Sequence, residues 1–186
     1  MRIIAGAFRG RRFTPPADKW PTRPTTDVAK EGLFNILHNE VDFAGMRMLD
    51  LFGGTGNHCY ECISRGCRDA TYVDKHAPAV RFVRRLAGEL GIEDRLRIVR
   101  SDVFRFIEAG ARAGDGDGGA TYTYCFAGPP YPLPTLDTIP DKFLASGLLA
   151  EGGLFVLEHN PNHDFSEHPR FERLRTYGKT YFSFFR

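Results

Sequence analysis

The chain has 186 residues, 42% of them hydrophobic and 26% charged, which suits one folded domain with a small appendage and excludes a disordered tail protein. No stretch approaches the ~20 apolar residues of a membrane span, and the opening MRIIAGAFRGRR lacks the apolar run of a secretory leader, so a cytoplasmic chain is expected. The net charge of +2 is unevenly spread: residues 1–30 carry seven cations (Arg2, Arg9, Arg11, Arg12, Lys19, Arg23, Lys30) against two acids (Asp18, Asp27), a net of +5, while the other 156 residues carry 18 against 21, a net of −3.

A basic arm therefore comes first, and arms of that kind usually meet phosphate. Thr25 and Thr26 then read as caps of a helix over 27–37. From Met46 the pattern is strand, glycine turn, helix, repeated. MRMLDLF (46–52) is an apolar run followed by Gly53-Gly54-Thr55-Gly56, and 58–65 reads as helix with Gly66 as its stop. A strand over 69–74 precedes a helix over 77–90, whose Val80, Val83, Leu86, Ala87 and Leu90 share one face, with Gly91 after it. RLRIV (95–99) is a third strand, ending at Ser101-Asp102, and a short helix over 103–109 follows. Residues 113–120 read as a surface loop; Asp115 and Asp117 suggest calcium, but the bidentate Glu at the proper offset is missing. A fourth strand (122–127), a helix (135–146), a fifth strand (153–159) and a hairpin over 171–185 around Gly178 complete the pattern. Such alternation implies a parallel sheet covered on both faces, with an antiparallel edge from the hairpin.

Cys59-x-x-Cys62 beside His58 invites a zinc or redox reading. The segment reads as helix and no second pair completes a tetrahedral set, so Cys59, Cys62, Cys67 and Cys125 are expected to be buried thiols and no metal is expected.

Ligands of such sheets sit at the carboxyl ends of the strands. Gly54 and Gly56 permit close backbone approach after the first strand. Dinucleotide binders share such turns, yet their further Gly is Cys59 here. Asp74 ends the second strand and can accept from ribose hydroxyls, although a solvated loop acid would look the same. Asp102 ends the third and can accept from an adenine amine, with Val103 and Phe104 to pack on the ring. Acidic strand ends around a glycine turn suit S-adenosylmethionine better than NAD. Gly128-Pro129-Pro130-Tyr131 after the fourth strand makes a rigid wall with a flat aromatic face, or simply a stiff turn.

At these residues the chain resembles the class I S-adenosylmethionine-dependent methyltransferases, and more closely the bacterial 16S rRNA guanine-N2 methyltransferases of the RsmD type. The opening MRIIAGAFRGRRF, RPTTDVAKEGLFNIL (23–37), DLFGGTGN (50–57), the E-x-x-S-R-G piece (61–66), YVDK (72–75), SDVF (101–104) and PPY (129–131) fall in family order. The resemblance implies a Rossmann-like α/β fold: a mostly parallel seven-stranded sheet with helices on both faces and a C-terminal antiparallel hairpin. It implies a basic N-terminal β/helix extension over 1–40 and a cofactor domain over 41–186. Asp50, Gly54, Gly56 and Asn57 would cradle the amino-acid end of S-adenosylmethionine, Asp74 the ribose, and Asp102 with Val103 the adenine; Phe52 and Lys75 complete that set. A target guanine would flip out and enter beside Gly128, Pro129, Pro130 and Tyr131, which form the catalytic set. Tyr131 would stack on the base and the Pro129 carbonyl accept from its amine. Arg2, Arg9, Arg11, Arg12, Arg23 and Lys30 would contact rRNA phosphates, with Thr25 and Thr26 turning the helix start toward the RNA. The implied partner is 16S rRNA, the small ribosomal subunit or its assembly intermediate, met by a monomer with no membrane.

One departure stands out. The family carries Asp or Asn before Pro-Pro-Tyr, and this chain carries Gly128. The lost acceptor would cost ~1–3 kcal/mol, roughly ten- to hundredfold in rate. Three readings follow: a slowed enzyme with a water or another acid (Glu158, Asp137) as acceptor, an impaired cofactor- and RNA-binding assembly factor, or an enzyme with a different target such as a small molecule. The weakened-enzyme reading expects Gly128→Asp to raise turnover without tightening cofactor binding.

Overall fold

The computed structural model of the chain describes residues 1–16, 20, 25–114 and 121–186. Lys19 and Arg23 of the basic arm and residues 115–120 of the glycine-rich loop lie outside the described residues. The elements are α1 (Asp27–Glu40), β1 (Arg47–Leu51), α2 (Asn57–Ser64), β2 (Asp69–Asp74), α3 (Ala77–Leu90), β3 (Leu96–Arg100), α4 (Val103–Gly114), β4 (Tyr122–Ala127), α5 (Ile139–Leu144), β5 (Leu149–His159), β6 (Phe171–Tyr177) and β7 (Thr180–Phe185).

The strands form one seven-stranded sheet in the order β3-β2-β1-β4-β5-β7-β6. Neighbours from β3 to β5 pair in parallel. β7 runs antiparallel between β5 and β6. The strand order reverses between β1 and β4, which opens a crevice at their carboxyl ends. Successive side chains alternate between faces. Met48, Tyr124 and Val156 pack with α1, α2 and α3 on one face. Leu49, Leu51 and Phe155 pack with α4 and α5 on the other. Both layers are buried, which is why these strands read as continuous apolar runs.

Local chemistry sets the boundaries. Thr26 caps α1, its side chain accepting from the Ala29 N–H at 3.3 Å. α3 ends at Gly91 in the left-handed conformation, with the Ile92 N–H donating to the Ala87 carbonyl at 3.0 Å. Instead of one helix over 135–146, the chain makes a 3-10 turn (Leu136–Thr138) and then the short α5. Pro140 explains the break: it has no N–H to donate to the preceding turn, and it sits in the first turn of α5, where that N–H is not needed. β5 starts at Leu149 rather than 153, carried past Gly152, whose positive φ accompanies a register shift against β4.

The N-terminal stretch is docked. Arg2 and Arg12 bridge antiparallel, and Ile3 is fully buried. The backbone N–H groups of Ile4 and Ala5 donate to the Glu61 carboxylate at 2.8 and 3.1 Å. Ser64 of α2 accepts from the N–H of Ala7 through its carbonyl and of Phe8 through its hydroxyl. Gly6 has φ 82, and a Cβ there would fall on the Ser64 carbonyl. Among the described residues no helix is long and apolar enough to cross a membrane.

Candidate active site

A cavity of about 970 Å³ opens at the carboxyl ends of β1, β4 and β5. It brings together Asp50 near the end of β1, Phe52, Gly54 and Asn57 after it, Gly128 to Tyr131 after β4, and Thr25 and Thr26 before α1. Glu158, Asn160 and Asn162 from the end of β5, and Tyr177, Lys179 and Thr180 from the hairpin turn, also line it.

The glycine turn is tightly held. Gly53 packs against the Tyr72 ring with no room for a Cβ, and its N–H donates to Val73 at 3.1 Å. The Gly54 N–H donates to Asp74 at 2.9 Å, and the Tyr72 hydroxyl donates to the Gly54 carbonyl at 2.8 Å. Gly56 sits at φ 74 and starts α2. Phe52 holds φ 60, a region unfavourable for a bulky side chain, and meets Phe104 edge-on at 6.3 Å.

Asp50 is almost wholly buried. One oxygen accepts from the Cys59 thiol at 3.3 Å, and the other is buried with no partner. Burial pushes its carboxyl up to about 7, with the thiol opposing the shift. An unpartnered buried carboxylate on a cavity wall is a seat for a cation, so the residues present fit a ligand with a positively charged end.

Asp74 and Asp102 are engaged in the backbone. Asp74 accepts from the N–H groups of Gly54 and His76. Asp102 caps α4 by accepting from the Phe104 N–H at 3.0 Å, and its other oxygen lies 3.4 Å from Lys75. Val103 is buried beneath them. These four residues and Gly56 stand outside the lining of the main cavity.

Glu158 is one of the two acids that the sequence offers as a replacement acceptor. The structure puts it on the cavity wall, 6% exposed. The Tyr131 hydroxyl donates to one oxygen at 3.0 Å and the Thr25 hydroxyl to the other at 2.5 Å. Burial raises its pKa, with both hydroxyls opposing. Asp137 instead is exposed and faces His163 at 2.6 Å. Thr25 thus does not cap α1; Thr26 alone does.

Lys30 differs from its expected role. It is 1% exposed. Its ammonium donates to the Arg2 carbonyl and to Asn57 at 2.9 Å and lies 3.3 Å from Glu61. It binds the arm to α2 and cannot reach a phosphate in solvent. Arg9, Arg11 and Arg12 are exposed, and Arg11 rests over the Phe8 ring.

All four cysteines are free and buried. His58 stacks flat on Phe126 at 3.9 Å and pairs with the Tyr124 hydroxyl at 2.7 Å. Burial holds it neutral, its pKa well below the ordinary value. Among the described residues no group of three or more His, Cys, Asp or Glu is arranged to hold a metal ion.

The chain is similar to proteins already described. YlbH of Bacillus subtilis, provisionally named an rRNA methyltransferase, is 34% identical over 163 residues, covering 86% of this chain and 83% of that one. Ribosomal RNA small subunit methyltransferase D of Escherichia coli K12 is 30% identical over 159 residues, covering 85% and 74%. A solved hypothetical protein of Thermus thermophilus superposes with a TM-score of 0.82 at 29% identity, over 100% and 98% of the two chains. An RNA methyltransferase of Salinibacter ruber, solved with S-adenosyl-L-homocysteine, shares the fold with a TM-score of 0.65 at 17% identity, over 88% and 92%. The family model described as Conserved hypothetical protein 95 matches residues 1–186, and the chain therefore belongs to that family, the RsmD family of methyltransferases.

Proposed function

We propose that the protein transfers a methyl group from S-adenosylmethionine to the exocyclic N2 of a guanine in small-subunit rRNA, as a monomer in a bacterial cytoplasm. One observation carries the reading: a single cavity joins the glycine turn after β1 to the Gly128–Tyr131 wall after β4. A donor held by the first and a base held by the second would meet there. The relatives named as rRNA methyltransferases support the same reaction class.

Bound S-adenosylmethionine supplies an electrophilic methyl on a sulfonium. The chain's own residues do the positioning, which is most of the work. Asp50 offers its unpartnered oxygen to the cationic methionine end. Phe52, Gly54, Gly56 and Asn57 shape the approach to it. Asp74 and Lys75, and Asp102 with Val103, mark the ribose and adenine ends, where each carboxylate retains free lone pairs. Pro129 and Pro130 stiffen the wall, the Pro129 carbonyl accepts from the amine, and the Tyr131 ring stacks on the base. Arg2, Arg9, Arg11, Arg12 and Arg23 contact rRNA phosphates, with Thr26 presenting the start of α1.

The test is transfer of labelled methyl from S-adenosylmethionine to small subunits lacking the modification, with free 16S rRNA as the comparison. N2-methylguanosine in the digest supports the reading; label on no nucleoside overturns it. Gly128 favours a second reading, an assembly factor that binds cofactor and RNA without turnover. Calorimetric binding of S-adenosylmethionine with no transfer is its signature.

A further inference from the structure

Gly128 leaves the end of β4 without a side chain, and the neighbouring strand supplies one beside it. β4 and β5 run in parallel register, with Phe126 opposite Val156 and Ala127 opposite Leu157. Pairing ends there with β4, but the same register carried one residue further sets Gly128 level with Glu158, and a Cβ at Gly128 would meet the Phe126 ring, on the face shared by Phe126, Val156 and Glu158. Phe126 and Val156, two residues earlier, both pack into the core on that face. The Glu158 carboxylate therefore stands on the face from which a side chain at 128 is missing, and it lines the same cavity.

We infer that Glu158 is the acceptor for the exocyclic amine of the target guanine, in place of the side chain that Gly128 lacks. The inference rests on the guanine-N2 reading above. Its two hydrogen bonds, from Tyr131 and Thr25, occupy one lone pair on each oxygen and fix the carboxylate plane. A second lone pair on each oxygen remains for an incoming N–H. Both fixing donors are neutral hydroxyls, so the charge is free to strengthen that bond. Burial makes the carboxylate a better base than an exposed one. In the transfer the nitrogen forms a bond to the methyl carbon as the C–S bond breaks with its electron pair going to sulfur. The nitrogen then sheds one proton, and a carboxylate already accepting that N–H takes it. Asp137 is excluded from this role because it lies outside the cavity and faces His163.

The test compares binding of GMP and IMP, which differ only in the exocyclic amine, by NMR titration in the presence of S-adenosylhomocysteine. The wild type is expected to bind GMP about tenfold more tightly, the weight of one hydrogen bond to a charged acceptor. Glu158→Gln, which exchanges the carboxylate for a neutral and weaker acceptor, should reduce that preference, leaving the share of the Pro129 carbonyl, and lower methyl transfer roughly ten- to hundredfold. Adding Gly128→Asn to Glu158→Gln should restore both. Equal binding of GMP and IMP by the wild type, which requires no variant to fold, overturns the inference. So does a preference that Glu158→Gln leaves undiminished. A wild type that transfers methyl yet does not discriminate overturns the Glu158 assignment alone. Discrimination through Glu158 without any transfer supports the acceptor and overturns the activity.

Discussion

Asp50 and Lys30 are both buried ions, but the chain treats them differently. Asp50 keeps one oxygen unpartnered, and burial pushes its carboxyl up to about 7 from the ordinary 3.8. Between those values the folded chain holds a proton that the unfolded chain has released. Stability therefore falls as pH rises from about 4 to about 7, by up to ~1.4 kcal/mol per pH unit from this group, and levels off above. Thermal unfolding of the ligand-free protein should show that fall, and Asp50→Asn should abolish its share. The same proton opposes a cationic ligand, so S-adenosylmethionine affinity should rise with pH up to about 7 and then plateau in calorimetry. Affinity independent of pH across that range contradicts the placement of the cation at Asp50. Lys30, by contrast, has three partners in Glu61, Asn57 and the Arg2 carbonyl. Lys30→Met removes a buried partner of Glu61 and should cost ~3 kcal/mol, or roughly 6–12 °C in Tm for a chain of this size. The salt dependence of RNA binding should stay unchanged, whereas loss of a phosphate contact would flatten it.

At the scale of elements, α2 is the hub. Every residue of it is buried. Its start carries the glycine turn, and its Glu61 and Ser64 hold the N-terminal stretch. Gly6 is required there by both its positive φ and the Ser64 carbonyl against it. Gly6→Val should undock the stretch, exposing the Ile3 and Phe13 amides to rapid hydrogen exchange while β1 and β4 remain protected. The alternation of apolar runs with glycine turns made the parallel core, the hairpin and the cap at Thr26 legible in the sequence. The spacing of α1 also held a signal for Lys30: positions 30, 33, 34 and 37 share one helical stripe, and the other three are Leu33, Phe34 and Leu37. A basic surrounding stretch masks that stripe. Glu158 was legible as an acid at a strand end, but its place beside Gly128 depends on inter-strand register, which no single segment encodes. The role of the E-x-x-S spacing of α2 depends on the chain start lying across it, a contact between residues more than 50 positions apart that no local pattern encodes.

For the whole molecule, a body of net charge −3 carries a docked stretch whose Arg9, Arg11 and Arg12 face solvent. The cavity mouth adds Lys179 from the hairpin turn. Reversing Arg11 and Arg12 to Glu should weaken small-subunit methylation and reduce the salt slope of RNA binding by about two phosphate contacts. An enzyme for a small molecule would be indifferent to that change. The central claim, guanine-N2 methylation of small-subunit rRNA, is tested most directly by mass spectrometry of that rRNA from cells with and without the gene. The account predicts that one N2-methylguanosine disappears on deletion, returns with the wild-type gene and stays low with Glu158→Gln. Identical guanine methylation in both strains contradicts it.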